Sequence, residues 1–228
     1  MQAWNGEADC FNCTLRSSAL FSGLTEDDFK MIHDQIEQVV LNPGDILYKV
    51  DDPGHHLFTV RSGLLKLVQY LPDGTQRIVR LVRSTDVLGL EMMVADHYQH
   101  EAVVLSTTEL CRYPAAAVNQ LCHSNSVLHK DLMSRWHKAL SEAEASLTLL
   151  STGTAKRRMA NLLLRLVDGS GSSECFLLSR EDMGSILSIT IETASRTISE
   201  FKRLGIITKI GHNHFHLDTP AVEAIASS

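Results

Sequence analysis

Residues 179–217, S-R-E-D-M-G-S-I-L-S-I-T-I-E-T-A-S-R-T-I-S-E-F-K-R-L-G-I-I-T-K-I-G-H-N-H-F-H-L, constrain local structure more tightly than any other part of this chain. Ser179 can N-cap a short helix, with Asp182 placed to meet the positive end of its dipole and Met183, Ile186 and Leu187 as an apolar face. Residues 188–190 read as a turn. Thr190 can cap a second helix running to about Leu204, in which Ala194, Ile198 and Phe201 recur at helical spacing and face inward. Gly205 ends it, because glycine enters the left-handed conformation without penalty. Residues 206–209, 211–213 and 214–217 then read as strand, turn and strand. Two short helices joined tightly and followed by a hairpin make a winged helix-turn-helix.

On the second helix Glu192, Ser195 and Arg196 stand at i, i+3 and i+4, opposite the apolar face and near the N-terminus. A helix that enters the major groove reads bases with that end. Arginine can grip guanine O6 and N7 with two parallel bonds, and glutamate can accept from cytosine N4. Thr193 lies on the same turn, while Lys202, Arg203 and Lys209 are close enough to neutralise phosphates. The plain alternative is a solvated helix face with a Glu192–Arg196 ion pair. Net charge is −6, which read globally opposes nucleic acid, yet it is unevenly spread: residues 1–150 hold 12 basic and 19 acidic groups, residues 151–228 hold 9 and 8.

The stretch resembles the C-terminal domain of the Crp/Fnr family of bacterial transcription regulators, and E-T-A-S-R at residues 192–196 is similar to the E-x-x-S-R signature of its Fnr branch. The resemblance reaches upstream to about Leu15. It implies a homodimer that binds a double-stranded palindrome of TTGAT-like half-sites and works with RNA polymerase. It implies a regulator and not an enzyme.

A hydrophobic fraction of 44% with 21% charged residues is an ordinary globular balance, and 228 residues suffice for one large or two smaller domains. No uncharged apolar run is long enough to span a membrane, and M-Q-A-W-N-G-E-A-D-C lacks the pattern of an export signal, so the expected location is the cytoplasm. Five cysteines without a small disulfide scaffold favour thiols, metal ligation or redox sensing.

Residues 22–38 read as a helix capped by Thr25, with Phe29, Ile32 and Ile36 at helical spacing. Residues 39–114 change to short β-rich runs broken by N-P-G-D, D-D-P-G, R-S-G and P-D-G, which implies a small barrel or jelly roll. The succession P-G-D, F-x-V-x-S-G, D-G-x-x-R and D-x-L-G resembles the double-stranded β-roll of cyclic-nucleotide-binding and Crp/Fnr sensor domains. In cyclic-AMP-responsive members a glutamate follows the strand-end glycine and an arginine lies downstream. Here Gly89 is followed by Leu90, with Glu91 one place on, and residues 97–100 read H-Y-Q-H. Cyclic AMP is therefore not expected as a ligand.

From Ser126 a long helix carries Leu132, Trp136, Leu140, Ala143, Leu147 and Leu150 at spacings of three and four, close to a coiled-coil seam. Packing on its own β-roll is one use for this face; the resemblance implies a parallel homodimer helix. S-T-G-T at residues 151–154 marks a hinge, and a further helix is expected over residues 155–167. The expected fold is thus α+β: residues 1–125 a cysteine-bearing segment and β-roll sensor, 126–150 a dimerisation helix, and 151–228 a winged helix-turn-helix.

Fnr proteins hold an iron-sulfur cluster with three N-terminal cysteines and a fourth at the end of the β-roll. By that resemblance Cys10, Cys13 and Cys111 are candidate ligands, but the third N-terminal position is Ala19, and Asp9 or Cys122 would have to complete the set. A redox dithiol, a zinc site or no sensing role remain open for the same residues, as does haem among the eleven histidines. Cys175 reads as a buried residue at a strand start. His212, His214 and His216 alternate along one face of the wing, as a solvated or phosphate-facing side or a metal chelate. A different class, a cupin-like metal-dependent enzyme or ligand-binding protein whose C-terminal helices serve protein interaction, needs an H-x-H pair with further ligands inside the barrel; His55, His56, His97 and His100 do not supply it.

Overall fold

The computed structural model describes residues 3–7, 20–21, 24–167 and 173–227, and the chain divides into two compact units, residues 1–141 and 142–228. Cys10, Cys13, Asp9 and Ala19 lie outside the described residues.

The first unit is built on two antiparallel sheets. One has the order β1 (Ala3–Glu7), β2 (Glu37–Leu41), β9 (Thr108–Pro114), β4 (His56–Ser62), β7 (Val87–Leu88). The other has the order β3 (Ile46–Tyr48), β8 (Glu101–Val104), β5 (Leu64–Tyr70), β6 (Gln76–Arg83). The β5–β6 hairpin pairs from Leu64↔Arg83 to Tyr70↔Gln76 around the P-D-G turn. Leu57, Val60, Leu65, Val82, Ala102 and Leu110 are buried in the shared core, where their apolar area is removed from water. Tyr113 is buried beside Phe21, its hydroxyl 2.8 Å from that of Thr59, so its polar end is satisfied. This is the double-sheet β-roll expected from the spacing of the turns.

Helix α1 spans Glu26–His33 and is capped, as expected, by the Thr25 hydroxyl accepting from the Asp28 amide. It is shorter than the expected residues 22–38. The amides of Gln35 and Ile36 bond to Ile32 and His33 in a closing turn, and Glu37 onward pairs with β9, Glu37 opposite Arg112. Pairing to a distant strand therefore overrides helical periodicity at Ile36, which is buried without being helical.

After β9 come α2 (Ala115–Ser124) and the long α3 (Ser126–Leu149). The Asn125 side chain accepts from the amides of Val127 and Leu128, capping α3, and donates to Asp28. Leu132, expected on the seam, is 2% exposed and packs with Leu128 in the core of its own unit. Met133, which the sequence reading passed over, stands on the open face instead. It begins a row of heptad spacing, Met133, Trp136, Leu140, Ala143 and Leu147, with Leu140 55% and Leu147 69% exposed and Trp136 half-buried.

The second unit packs α4 (Ala155–Leu166) with α5 (Arg180–Leu187), α6 (Ile191–Arg203) and α7 (Thr219–Ser227), beside a sheet ordered β10 (Glu174–Phe176), β12 (His214–Leu217), β11 (Ile207–Lys209). Met159, Leu162, Leu163, Leu187, Ile198, Phe201 and Val222 are buried here.

Candidate nucleic-acid interface

Each end of the two helices is fixed by a local device. The Ser179 hydroxyl accepts from the Asp182 amide at 3.0 Å and donates to the Asp182 carboxylate at 2.7 Å, closing the first turn of α5. At the other end Ser188 adopts φ 55° and ψ 46°, the left-handed conformation, and the Leu187 carbonyl accepts from the Arg158 guanidinium of α4 at 2.6 Å. Thr190 caps α6 by accepting from the Thr193 amide. Gly205, at φ 74°, turns the chain out of α6, and the Ile206 amide reaches back to the Phe201 carbonyl. Lys156 of α4 donates to Glu200 at 2.7 Å and Ala194, Thr197, Ile198 and Phe201 are buried, so α6 is held by one face only.

The other face carries the expected residues. Glu192, Ser195 and Arg196 are exposed, and Thr193 is half-buried with its hydroxyl turned to Thr190. Glu192 does not pair with Arg196. Its own backbone amide and the Thr190 hydroxyl hold its carboxyl below the ordinary range instead. Among the described residues the Arg196 guanidinium has no hydrogen-bond or ion-pair partner within the chain, so its fork of donors is available to an outside acceptor.

Below this row the cations converge. The Lys202 ammonium lies 4.6 Å over the Phe215 ring of the wing, and its pKa is lowered by burial and then by the nearby charges of Arg180 and Lys209. Arg180, which opens α5, went unnoticed in the sequence. Arg180, Lys202 and Lys209 are distant in the chain, and only the folded unit brings like charges together, at a cost that an added anion would relieve. Arg203 is exposed beside them.

The wing is the hairpin β11–β12, in register Ile207↔Leu217, Thr208↔His216 and Lys209↔Phe215, and β10 adds a third strand through Cys175↔Phe215. Cys175 is buried, as the sequence suggested. His214 and His216 face solvent while Phe215 and Leu217 face inward. Among the described residues no three histidine, cysteine or acidic side chains converge as a metal site. Of the candidate ligands, Cys111 is half-buried on β9 and Cys122 half-buried on α2.

Residues 38–125 match the cyclic nucleotide-binding domain, and residues 157–225 match the Crp-like helix-turn-helix domain. The transcriptional activator protein Anr of Pseudomonas aeruginosa is 28% identical over 96% of this chain and 93% of its own. The nitrogen fixation regulation protein FixK of Bradyrhizobium diazoefficiens is also 28% identical, over 96% of this chain and 94% of its own. This chain belongs to the Crp/Fnr family. The structure of FixK2 from Bradyrhizobium japonicum has the same Crp/Fnr fold, with a TM-score of 0.75, 23% identity and coverage of 85% of this chain and 98% of that one. The β-roll is the family's cyclic-nucleotide-binding-like domain, and the capped helix pair is its helix-turn-helix. No described helix is long and apolar enough to cross a membrane.

Proposed function

We propose that this Crp/Fnr protein is a homodimeric, sequence-specific DNA-binding transcription regulator of the cytoplasm, responding to a redox, oxygen or small-molecule signal through its β-roll and acting with RNA polymerase, and that it is not an enzyme. The observation that carries this reading is Arg196: exposed on the first turns of a capped helix, without a hydrogen-bond or ion-pair partner among the described residues, on the same helix as Lys202, whose charged neighbours are Arg180 and Lys209. Glu192, Ser195 and Arg196 read bases of a palindrome of TTGAT-like half-sites, as the Fnr-like E-x-x-S-R pattern suggests, while Thr193, Lys202 and Arg203 hold phosphates, with Arg180 and Lys209 beside them. The division of labour is residues 1–125 for sensing, 126–150 for dimerisation and 151–228 for DNA.

For the signal, the resemblance to Fnr proteins takes Cys10, Cys13 and Cys111 as one group. Of these Cys111 lies among the described residues, on β9 opposite Gln38, which pairs in turn with Trp4 of β1. Ala19 supplies no thiolate, so this set suits a metal or cluster with a non-thiolate fourth ligand, which would make the segment sensitive to oxidation. At the nucleotide position Leu90 stands where cyclic-AMP-binding members carry glutamate, and residues 97–100 read H-Y-Q-H in the region where they carry arginine, which disfavours that ligand.

Fluorescence anisotropy with a palindromic and a random duplex tests the reading of DNA. Arg196→Ala should weaken palindrome binding by about 1–3 kcal/mol with little change on random duplex, and Lys202→Ala should weaken both alike. Equal losses for Arg196→Ala on both duplexes would refute base recognition by this helix.

A further inference from the structure

Three histidines of the wing take no part in the base-reading row of α6. His214 and His216 stand on the solvent face of β12, and the turn at residues 211–213 leaves His212 exposed at the hairpin tip. That turn is tight. The amides of Ile210 and Gly211 donate to the His214 carbonyl at 3.0 and 3.2 Å, and Asn213 adopts a left-handed φ of 58°.

The rings differ in their neighbours. His216 lies between Glu174 on β10 and Thr208 on β11, so a carboxylate stands beside it. His214 lies between Phe176 on β10, whose ring meets it edge-on with centroids 5.8 Å apart, and Ile210 beyond the end of β11. Phe215, on the other face of the same strand, sits under the Lys202 ammonium of α6 and opposite Lys209, and Arg180 of α5 is close enough to act on Lys202. Asp218, where β12 ends, accepts from the Ala221 amide of α7. The tip of the wing therefore extends the cation cluster, while the carboxylates of Glu174 and Asp218 lie towards its base.

We infer that the wing tip grips the DNA backbone through protonated His212 and His214, so that binding draws protons from the buffer and affinity for DNA rises as pH falls. The inference rests on the DNA-binding reading and gives that site a regulation of its own, separate from any signal in the β-roll. A neutral imidazole offers one N–H donor, and an imidazolium offers two together with a charge. Imidazole in water changes charge near pH 6.5, and a phosphate at bonding distance favours the charged form, so a bound ring keeps its proton to higher pH than a free one. Between those two values the complex holds more protons than its separated parts, and the binding constant climbs with acidity. Above both, the rings contribute only neutral bonds. Glu174 excludes His216 from the set, because its carboxylate repels a phosphate at that row.

Anisotropy titrations of the full chain with palindromic and random duplex, at about pH 8 and about pH 6 over a series of salt concentrations, test the inference. Affinity should rise at least about threefold at the lower pH on both duplexes, since phosphates carry no sequence, and the plot of log K against log salt should steepen by about 0.9 for each imidazolium that gains a phosphate. His212→Gln combined with His214→Gln should abolish both changes and leave binding at the higher pH unaltered, whereas His216→Gln should keep them. A double variant that retains the wild-type rise, or a rise with an unchanged salt slope, overturns the inference, as does loss of the rise in His216→Gln alone. A rise on both duplexes at equal affinity supports the proton uptake and sinks the sequence-specific reading. Absence of binding to either duplex overturns both.

Discussion

Lys138 on α3 donates to the buried carboxylate of Asp86 at 2.9 Å, and one turn earlier Arg135 donates to the Thr85 carbonyl at 2.8 Å. The β6–β7 turn is thereby clamped to the helix. Asp86 is 6% exposed and also accepts the Arg83 amide at 3.0 Å, with the Arg80 guanidinium 3.8 Å away. Asp86→Ala should cost about 2 kcal/mol in urea unfolding, since it removes several charge-assisted bonds at once. Lys138→Ala should cost about 1 kcal/mol or less, because its ammonium is half-exposed. A wild-type midpoint for Asp86→Ala would show that the clamp contributes nothing to stability.

The α3 row should control assembly. Truncating Trp136 and Leu140 together to Ala removes the centre of the apolar strip and should shift the protein to monomer in sedimentation, with loss of palindrome binding because a single half-site contact is weak. An unchanged dimer contradicts a seam on this face.

Stability should fall on mild acidification. Burial lowers the pKa of His100, with a smaller contribution from Arg80 against an opposing one from Glu91. Burial and then Arg112 lower that of His56, against Glu37. Both rings are harder to protonate folded than unfolded, so below the ordinary histidine value of 6.5 the unfolded chain binds more protons. Their contribution is full above that value and is lost as pH falls towards the lowered folded values. The thermal midpoint should drop between about pH 7.5 and 5.5, and His100→Gln should flatten that slope. A slope identical to wild type would exclude His100 as a source.

The cysteine group is open to a metal assay. If Cys10, Cys13 and Cys111 share a metal or cluster, Ser at any one should lower the metal content of anaerobically prepared protein, together with any oxygen-dependent change in DNA affinity. Ala19→Cys should raise occupancy on reconstitution. Metal-free wild type, with the three Ser variants binding DNA as it does in air and in argon, removes these residues from sensing.

What the sequence made legible was local. Ser179, Thr190 and Gly205 act within one turn of their own positions, and each end they mark lies where expected. The β5–β6 hairpin is set by the turn between its strands. What escaped depends on distant partners. The periodicity through Ile36 is real, yet β9 claims the next residue for a strand. Leu132 and Met133 are equally apolar neighbours, and only the β-roll decides which is covered. Arg180 acquires its setting from Lys202 and Lys209, and Asp86 from a lysine 52 positions away, which no spacing rule could foresee.

The one-sided anchoring of α6 has an evolutionary corollary. Ala194, Ile198 and Phe201 secure the helix, while Glu192, Ser195 and Arg196 stand clear of the packing. Exchanges at those three positions leave folding almost untouched, so they escape the filter that removes most core substitutions. After duplication of its gene, a descendant of this chain can acquire a new operator by surface drift alone, and sibling regulators in one cell can part ways in their targets while keeping a common scaffold.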